Sequence, residues 1–214
     1  MINVFNKFGK ILAKIVRIVT LPPLAALATL SVFLYCKKIV LSEYIVGALC
    51  LTVLPMLSYV VEPLFRTEKV SKRDNQRKIA VWFSAVGYAL CNISAWVMNS
   101  GGLLKTFYLT YLMSVLTILL VGKLFHVKCS GHACGFVGPL VFLGCFIDPL
   151  YFWGLFLLAG LVWASVHIKR HTVSELAIGS FIPIVSMAVA YLMLINGAVF
   201  SFGQQIVTVL AMLG

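Results

Sequence analysis

The chain has 214 residues, of which 62% are hydrophobic and 11% are charged, and its mean hydropathy is +1.05. Soluble domains carry about 25% charged residues, so this composition excludes a water-soluble globular protein. Seventeen Lys and Arg against six Asp and Glu give a net charge of +11. On an apolar chain such an excess indicates cytoplasmic loops, anionic lipid headgroups or an anionic substrate, and composition alone leaves all three open.

The length predicts a single membrane domain of the all-α class. A helix needs about 20 apolar residues to span a bilayer, which allows on the order of six to eight helices and no separate soluble domain. We expect a polytopic transmembrane helix bundle of about six to seven spans over residues 20–214, preceded by an N-terminal amphipathic interfacial helix over residues 1–19. The six cysteines lack paired CxxC spacing, so we expect neither disulfides nor a zinc motif.

The first 19 residues predict a basic amphipathic helix, because basic side chains recur every three to four residues at Lys7, Lys10, Lys14 and Arg17. Such a helix lies on the membrane surface. It is equally well interpreted as the cytoplasmic extension of the first transmembrane helix.

Seven apolar segments follow, separated by turns and one long polar loop over residues 62–78, which holds six of the seventeen basic residues. Residues 198–214 are apolar but short, and predict a partial span or an interfacial helix. The seven predicted spans cover residues 22–36, 39–61, 79–98, 103–122, 132–147, 150–167 and 172–197.

The basic residues predict the orientation of these spans. With the N-terminus in the cytoplasm, fourteen Lys and Arg fall on the cytoplasmic side and three on the other. Four of the fourteen lie beside histidines and have a possible chemical role. Without them the ratio is still ten to three, so we expect a multi-pass protein with a cytoplasmic N-terminus.

All four histidines, namely His126, His132, His167 and His171, fall in two short segments, 123–132 and 167–171. The span assignment places both segments on the same side of the membrane. Ionisable groups near a membrane interface are costly unless they are partnered, so these segments are candidates for a functional site.

The first segment ends in Ser130-Gly131-His132 and is followed by small residues. Ser130 is a suitable N-cap, and Gly131 permits close approach of the backbone. The free N–H groups of the helix that starts here would bind an anion. The alternative is an ordinary capped helix preceded by a basic loop.

The second segment leads into a helix that begins near Thr172. Thr172 and Glu175 have the spacing of a capping box, which gives the carboxylate a purely structural role. His171 and Glu175 are also four residues apart, so one helical face can present both. A carboxylate that orients an imidazole and stabilises its charged form is a recurrent catalytic arrangement.

Together these two segments resemble signatures of the type 2 phosphatidic acid phosphatase superfamily, the lipid phosphatase and haloperoxidase-like proteins. Ser130-Gly131-His132 is similar to the second signature, and the stretch from His171 through Glu175 to Gly179 is similar to the third. The order, the separation of roughly 40 residues and the two intervening apolar helices also agree. The resemblance covers about residues 79–195.

The resemblance implies that His171 is a nucleophile that forms a phosphohistidine, oriented by Glu175, which stands where the family has Asp. His132 would be the general acid for the leaving oxygen, and no metal or other cofactor is implied. The phosphoryl oxygens would be held by residues of both segments, namely Lys123, Lys128, Ser130, Gly131, Lys169 and Arg170.

The chain departs from the family at its arginines. The first signature, a Lys followed by Arg-Pro, is absent, and Cys129 replaces the Pro of the second signature. Ser165 stands where the third signature has Arg, six residues before the nucleophile. Lys169 and Arg170 lie nearby, but a lysine does not reproduce the bidentate clamp of an arginine.

The leading hypothesis is an integral-membrane lipid phosphatase acting on a lipid phosphate monoester or an isoprenyl diphosphate at the cytoplasmic face, in phospholipid metabolism. Its expected partners are a membrane lipid substrate and anionic lipid headgroups, with no nucleic acid. One alternative is a metal-dependent membrane enzyme that uses the clustered histidines as ligands. Another is a catalytically inactive lipid-binding relative that kept the fold.

Overall fold

A computed structural model describes residues 2–65 and 71–195, and all regular structure in these residues is helical. The 3-10 and π-helical turns adjoin the α-helices: Leu49–Val53 is π-helical, and Glu62–Phe65 and Pro149–Leu155 are 3-10. The α-helices are α1 (Ile2–Val19), α2 (Pro22–Tyr35), α3 (Leu41–Ala48), α4 (Leu54–Val61), α5 (Lys72–Val97), α6 (Gly102–Leu124), α7 (Gly131–Phe146), α8 (Phe156–His167) and α9 (Val173–Ile195).

The predicted class is confirmed: the chain is an all-α bundle with the helices of a multi-pass membrane protein. Five helical segments are long and apolar enough to span a bilayer, and α1 with α2 makes a sixth if that pair, bent by 42°, is one span. Helix α7 is apolar but shorter than a span. The five segments are Leu41–Phe65, Asp74–Val97, Gly102–Leu124, Pro149–His167 and Val173–Leu194.

The predicted polar loop over residues 62–78 is wrong at its C-terminal end. Helix α5 begins at Lys72, where the Ser71 hydroxyl accepts a hydrogen bond from the Asp74 amide at 3.2 Å. A span is recognised by its apolar residues, but a helix continues for as long as its backbone is capped and paired. Residues 72–78 therefore form polar turns of α5. The predicted turn at 196–197 and the segment 198–214 lie outside the described residues.

Helix α7 lies at the centre of the bundle and packs against α2, α6 and α9. Its buried Phe142 contacts Phe107 of α6 edge to face, with ring centroids 5.0 Å apart, and Phe33 of α2 joins the same cluster. Because this short helix is buried on most of its surface, its N-terminus is held at one end of the bundle, where the second histidine-bearing segment also lies.

Helix α1 packs lengthwise against α8, in antiparallel orientation. A Cβ added at Gly9 would lie 3.0 Å from His167, and one added at Gly160 would lie 3.9 Å from Val16, so the contacts advance in opposite directions along the two helices. A helix that packs along a candidate span has its axis roughly aligned with the axis of that span, whichever way the two chains run. This arrangement favours the interpretation of α1 as an extension of the first span, while a placement on the membrane surface stays a prediction.

Candidate active site

The two histidine-bearing segments meet in space, through a backbone contact between α7 and α9. The Ser130 amide donates a hydrogen bond to the Glu175 carbonyl at 3.0 Å. Gly179, one turn further along α9, lies directly against the Ser130 backbone, and a Cβ at this position would collide with the Ser130 carbonyl oxygen. The glycine therefore permits the close approach that brings both segments to one site.

His171 and Glu175 form a hydrogen-bonded pair. Nδ1 of His171 lies 2.7 Å from Oε2 of Glu175, and their side chains are 15% and 22% exposed. An ionised carboxylate only accepts hydrogen bonds, so Nδ1 of His171 carries the hydrogen of this pair. The lone pair of the neutral ring is then on Nε2, which Glu175 does not engage. The Thr172 hydroxyl caps the helix by accepting from the Glu175 amide at 3.2 Å, so capping by Thr172 and pairing with His171 coexist.

The surroundings of His171 keep its imidazole neutral. Burial lowers the pKa of His171, the hydrogen bond and charge of Glu175 oppose this, and the positive charges of Arg17 and Arg77 add to the lowering. The net direction is below the ordinary histidine value. Nε2 is therefore unprotonated, and hence nucleophilic, at neutral pH.

His132 is held by a residue from the junction of α1 and α2. Its Nε2 lies 3.1 Å from the hydroxyl oxygen of Thr20, and Thr20 donates its own hydrogen to the Val16 carbonyl at 2.8 Å. Since the single hydroxyl hydrogen is used, Thr20 accepts from His132, and Nε2 carries a proton. Burial, followed by the positive charge of Arg17, lowers the pKa of His132 to about 3, so the resting ring beside the His171–Glu175 pair is neutral and carries its hydrogen on Nε2.

Two arginines reach the site from distant parts of the chain. The Arg17 guanidinium donates to the Ser165 hydroxyl at 3.0 Å, and that of Arg77 donates to the Cys129 carbonyl at 2.9 Å. Ser165 also anchors the loop that carries His171, because its carbonyl accepts from the Arg170 amide at 2.9 Å. Arg17 is thus tied to the same buried residue that positions the histidine loop.

One cavity of about 850 Å³ is lined by the His171–Glu175 pair together with His132, Arg17 and Arg77. At one end it is lined by the His171–Glu175 pair, His132 and the cations, and it then continues between the helices to the core. Its deeper wall is made of aromatic and small apolar residues, with a few hydroxyls among them: Tyr88, Phe107, Thr110, Tyr111, Ser114, Gly138, Pro139, Phe142 and Pro183.

The structure brings most of the residues singled out from the sequence to this cavity. Ser130 is fully buried, and its hydroxyl caps α7 by accepting from the Ala133 amide at 3.3 Å. Lys123 is exposed at the end of α6 and does not line the cavity. The predicted residues that do line it are Lys128, Gly131, His132, Lys169, Arg170, His171 and Glu175.

The other two histidines lie apart from the pair. His126 is exposed and does not line this cavity, and His167 stacks on Trp163 with ring centroids 5.3 Å apart. Within residues 2–65 and 71–195, no three His, Cys, Asp or Glu side chains are grouped as metal ligands. The four histidines therefore do not form the shared ligand set that the metal-dependent alternative requires.

Arg17, Thr20 and Arg77 are the site residues that the sequence analysis missed. The sequence predicts that Arg17 lies in a basic helix, either on the membrane surface or extending the first span, and that Arg77 lies in a loop. A helical continuation of the third span would have placed Arg77 near the membrane boundary. For Thr20 no local pattern existed, because its partner is 112 residues away in the chain.

Comparisons of this chain with protein-family models, with curated proteins and with solved structures find no match.

Proposed function

We propose that this chain is an integral-membrane lipid phosphatase and a divergent member of the type 2 phosphatidic acid phosphatase superfamily. Its substrate is a lipid phosphate monoester or an isoprenyl diphosphate. One observation carries the proposal: a single cavity joins a neutral, carboxylate-oriented histidine, a second histidine and several cations to an apolar wall inside a membrane bundle. The cationic end suits a phosphate and the apolar end suits a hydrocarbon chain.

The first chemical step is attack of the His171 Nε2 lone pair on phosphorus. The bond from phosphorus to the lipid oxygen breaks, and its electron pair stays on that oxygen. His132, protonated to the imidazolium when the anionic phosphate binds beside it, supplies the proton that the oxygen takes up. Glu175 holds the ring through Nδ1–H and stabilises the positive charge that develops on it. The products of this step are the dephosphorylated lipid and a phosphohistidine.

The second step is hydrolysis of the phosphohistidine. Water attacks phosphorus while His132, now neutral, takes its proton, and the bond between Nε2 and phosphorus breaks. Inorganic phosphate leaves and both histidines return to their starting protonation states. Phosphoryl transfer requires chiefly in-line placement and neutralisation of charge, which these side chains provide without further covalent chemistry.

We assign Arg17 and Arg77 the role of the family arginines that the sequence lacks. Ser165 stands where a family arginine is expected, and the Arg17 guanidinium is hydrogen-bonded to Ser165. Arg77 reaches the backbone of Cys129, next to the cap of α7. We assign both the role of holding phosphoryl oxygens, because a guanidinium binds phosphate through two parallel hydrogen bonds where a lysine acts as a point charge.

The orientation count supports a cytoplasmic location for this site, since residues 128–132 and 167–172 belong to the side that is predicted to carry fourteen basic residues. Substrates would then be lipids phosphorylated on that side. A cysteine-labelling experiment on the loop between α8 and α9 in sealed vesicles tests this assignment. Labelling only from the outside of right-side-out vesicles would contradict it.

The decisive experiment is phosphate release by the purified full chain in detergent. We expect His171→Ala to lose activity by on the order of 10⁴-fold or more, because it removes the nucleophile, and His132→Ala to lose about 10²-fold to 10⁴-fold. His126→Ala is the matched control, since this exposed histidine lies outside the cavity. Labelled phosphate should be trapped on the parent protein and not on His171→Ala.

Equal activity in the parent and both site variants would overturn the proposal. Binding of anionic lipid with no phosphate release, unchanged in His171→Ala, would favour the inactive relative instead. Turnover that a chelator abolishes, and that vanadate leaves intact, would favour the metal-dependent alternative.

A further inference from the structure

Three helices, α5, α6 and α7, line the apolar part of the cavity, and each presents one face to it. The lining residues of each helix recur every three or four positions, as the residues of one helical face do. On α7 they begin at Gly131, beside His132, and end at Phe142. The helical rise from His132 to Phe142 is about 15 Å. The cavity therefore follows α7 for most of the length of that helix, away from the histidines.

The faces of α5 and α6 have nearly the same length. On α6 the lining residues run from Ile118 to Phe107. On α5 they reach from Arg77, which binds the backbone just before α7, to Tyr88. Either stretch rises by about 16 to 17 Å. In each of the three helices, the lining residue farthest from the histidines is aromatic.

These three aromatic residues and Tyr111 form a continuous end wall. The ring of Tyr88 contacts that of Tyr111, and Tyr111 contacts Phe107, each with ring centroids 5.0 Å apart. Phe107 contacts Phe142 at the same separation of 5.0 Å. Behind them lie buried side chains of the core cluster, such as Phe33, which do not line the cavity. The cavity is therefore closed at this end.

The π-helical turn Leu49–Val53 joins α2 to α5 beside the end wall. The Thr52 hydroxyl donates a hydrogen bond to the Pro23 carbonyl of α2 at 3.0 Å. On the other side of the turn, a Cβ added at Gly87 of α5 would collide with the Cys50 carbonyl oxygen. The next residue of α5 belongs to the end wall. A chain that reaches the end wall is therefore enclosed by packed helices.

The distance from the histidines to the end wall corresponds to a definite length of hydrocarbon. A carbon–carbon single bond of about 1.5 Å at a tetrahedral angle advances an extended chain by about 1.3 Å per carbon. A cavity that is about 15 Å long thus holds about 12 carbons. A longer extended chain would have to displace a ring of a close-packed core, which costs free energy.

We propose that the cavity selects its substrate by the length of the hydrocarbon chain, and that the end wall sets the limit. Chains of up to about 12 carbons fit in full, and longer chains bind less well. Phe142 is a specificity-determining residue, because it closes the face of α7 that begins beside His132. This inference rests on the proposed function, which it narrows by chain length and not by headgroup.

The test measures phosphate release from octyl, dodecyl and hexadecyl phosphate, each at the same mole fraction in uncharged detergent micelles. Because every chain moves from one apolar environment to another, added methylene groups bring little gain from the hydrophobic effect. For the parent we expect kcat/KM to be about tenfold higher for the dodecyl ester than for the hexadecyl ester, a usual loss for a poor fit in an apolar pocket. Equal values for these two esters would overturn the proposal.

Removal of the Phe142 ring should lengthen the cavity. In Phe142→Ala we expect the ratio of kcat/KM for the hexadecyl ester to that for the dodecyl ester to rise about tenfold. Phe136→Ala is the matched control, since Phe136 is a buried aromatic residue of the same helix that does not line the cavity. A ratio cancels losses that both esters share, so we expect no change in this control. An equal rise in both variants, or no rise in Phe142→Ala, would contradict the assignment.

Phe142→Leu covers the case in which the alanine variant does not fold. It keeps most of the volume of the side chain, so it costs less stability. We expect the same ratio to rise in Phe142→Leu by less than in the alanine variant, and to stay constant in Phe136→Leu. Equal ratios in these two leucine variants would count against the end wall.

A further variant shortens the cavity instead. Ser84 is a half-buried lining residue of α5, and the rise from Arg77 to Ser84, about 10 Å, leaves room for about 8 carbons. In Ser84→Leu we therefore expect the ratio of kcat/KM for the dodecyl ester to that for the octyl ester to fall about tenfold. Ser94→Leu makes the same change at a half-buried serine of α5 outside the cavity. A similar fall in both variants would refute a length limit inside the cavity.

A binding measurement separates this inference from the proposed function. Alkyl phosphonates carry the same chain and anionic group but have no oxygen that could leave with the chain. The full-length parent and Phe142→Ala are titrated with dodecyl and hexadecyl phosphonate in the same micelles. Weaker binding of the hexadecyl compound by the parent alone supports the end wall, even if no phosphate is released and the phosphatase proposal fails. Binding that does not depend on chain length, or the same preference in both proteins, overturns the end wall even if the protein is a phosphatase.

Discussion

The two walls of the cavity differ in how the chain builds them. The wall that carries the histidine pair is local: His171 and Glu175 are four residues apart, and a single backbone hydrogen bond joins them to the segment of His132. The opposite wall is assembled from α1 and α5, whose arginines are 148 and 52 residues from their hydrogen-bond partners. The reactive groups are thus encoded as short motifs, while the arginines assigned to the phosphate are contributed by the packing of distant helices.

Of the three predictions that follow, we expect the largest loss of activity from a change in the wall that carries His171 and Glu175. We expect Glu175→Gln to lower phosphate release by about 10³-fold, because the amide no longer stabilises the positive charge that develops on His171. Glu175 raises the pKa of His171 against the stronger effect of burial, so its removal lowers that pKa further. Protonated His171 cannot attack phosphorus, and activity is lost as the pH falls through its pKa. The acidic limb of kcat/KM should therefore move to lower pH in Glu175→Gln.

The matched control for this variant is Glu43→Gln, which changes a mostly buried carboxylate whose Oε2 accepts from the Val40 amide in another part of the bundle. We expect its pH profile to follow that of the parent. An acidic limb that stays in place, or moves to higher pH, in Glu175→Gln would contradict the assigned pairing.

We expect a smaller loss of activity from changes in the opposite wall, which α1 and α5 supply. We expect Arg17→Ala and Arg77→Ala each to lower kcat/KM by on the order of 10²-fold, since each removes a guanidinium that faces the developing charge. Lysine at either position should restore only part of the activity, because it keeps the charge and loses the paired hydrogen bonds. Lys78→Ala, an exposed neighbour on α5 that does not line the cavity, is the control. If both arginine variants behave like this control, the local wall alone binds the phosphate.

The smallest effect should come from the contact that joins the two walls. Thr20→Val removes the acceptor of the His132 Nε2–H, so we expect kcat to fall about tenfold through poorer orientation of the general acid. Thr29→Val is its control, because Thr29 makes the same type of hydrogen bond to the carbonyl four residues before it and lies outside the cavity. Kinetics and thermal unfolding of both variants separate orientation from stability. Equal losses of kcat in the two would assign the effect to the fold.

Much of the fold was predictable because hydropathy and turn residues act over short stretches of chain. Five predicted spans coincide with long apolar helices, and the caps expected at Ser130 and Thr172 are present. The prediction of a loop over residues 62–78 is wrong at its C-terminal end, because a polar composition does not exclude a helix and Ser71 caps one there. That error also hid Arg77, which belongs to the polar part of α5.

The candidate site likewise contains some residues that local sequence predicts and others that it does not. The spacing of His171 and Glu175 was sufficient to predict that they share a helical face, because their contact lies within one helical turn. Lys123 belongs to the first histidine-bearing segment of the sequence, yet it lies at the end of α6 outside the cavity. Proximity in sequence therefore predicted the reactive residues better than it predicted the charges around them.

Local sequence is sufficient to predict the helical membrane class, most of the spans, the helix caps and the pairing of a histidine with a carboxylate. Each of these depends on interactions within one or two helical turns, whose geometry is the same in any helix. Tertiary packing is needed to bring α1 along α8 and to bring Arg17, Thr20 and Arg77 to the histidines. Those contacts depend on which helical faces pack and how closely, at positions such as Gly179 against Ser130, and no local spacing specifies them.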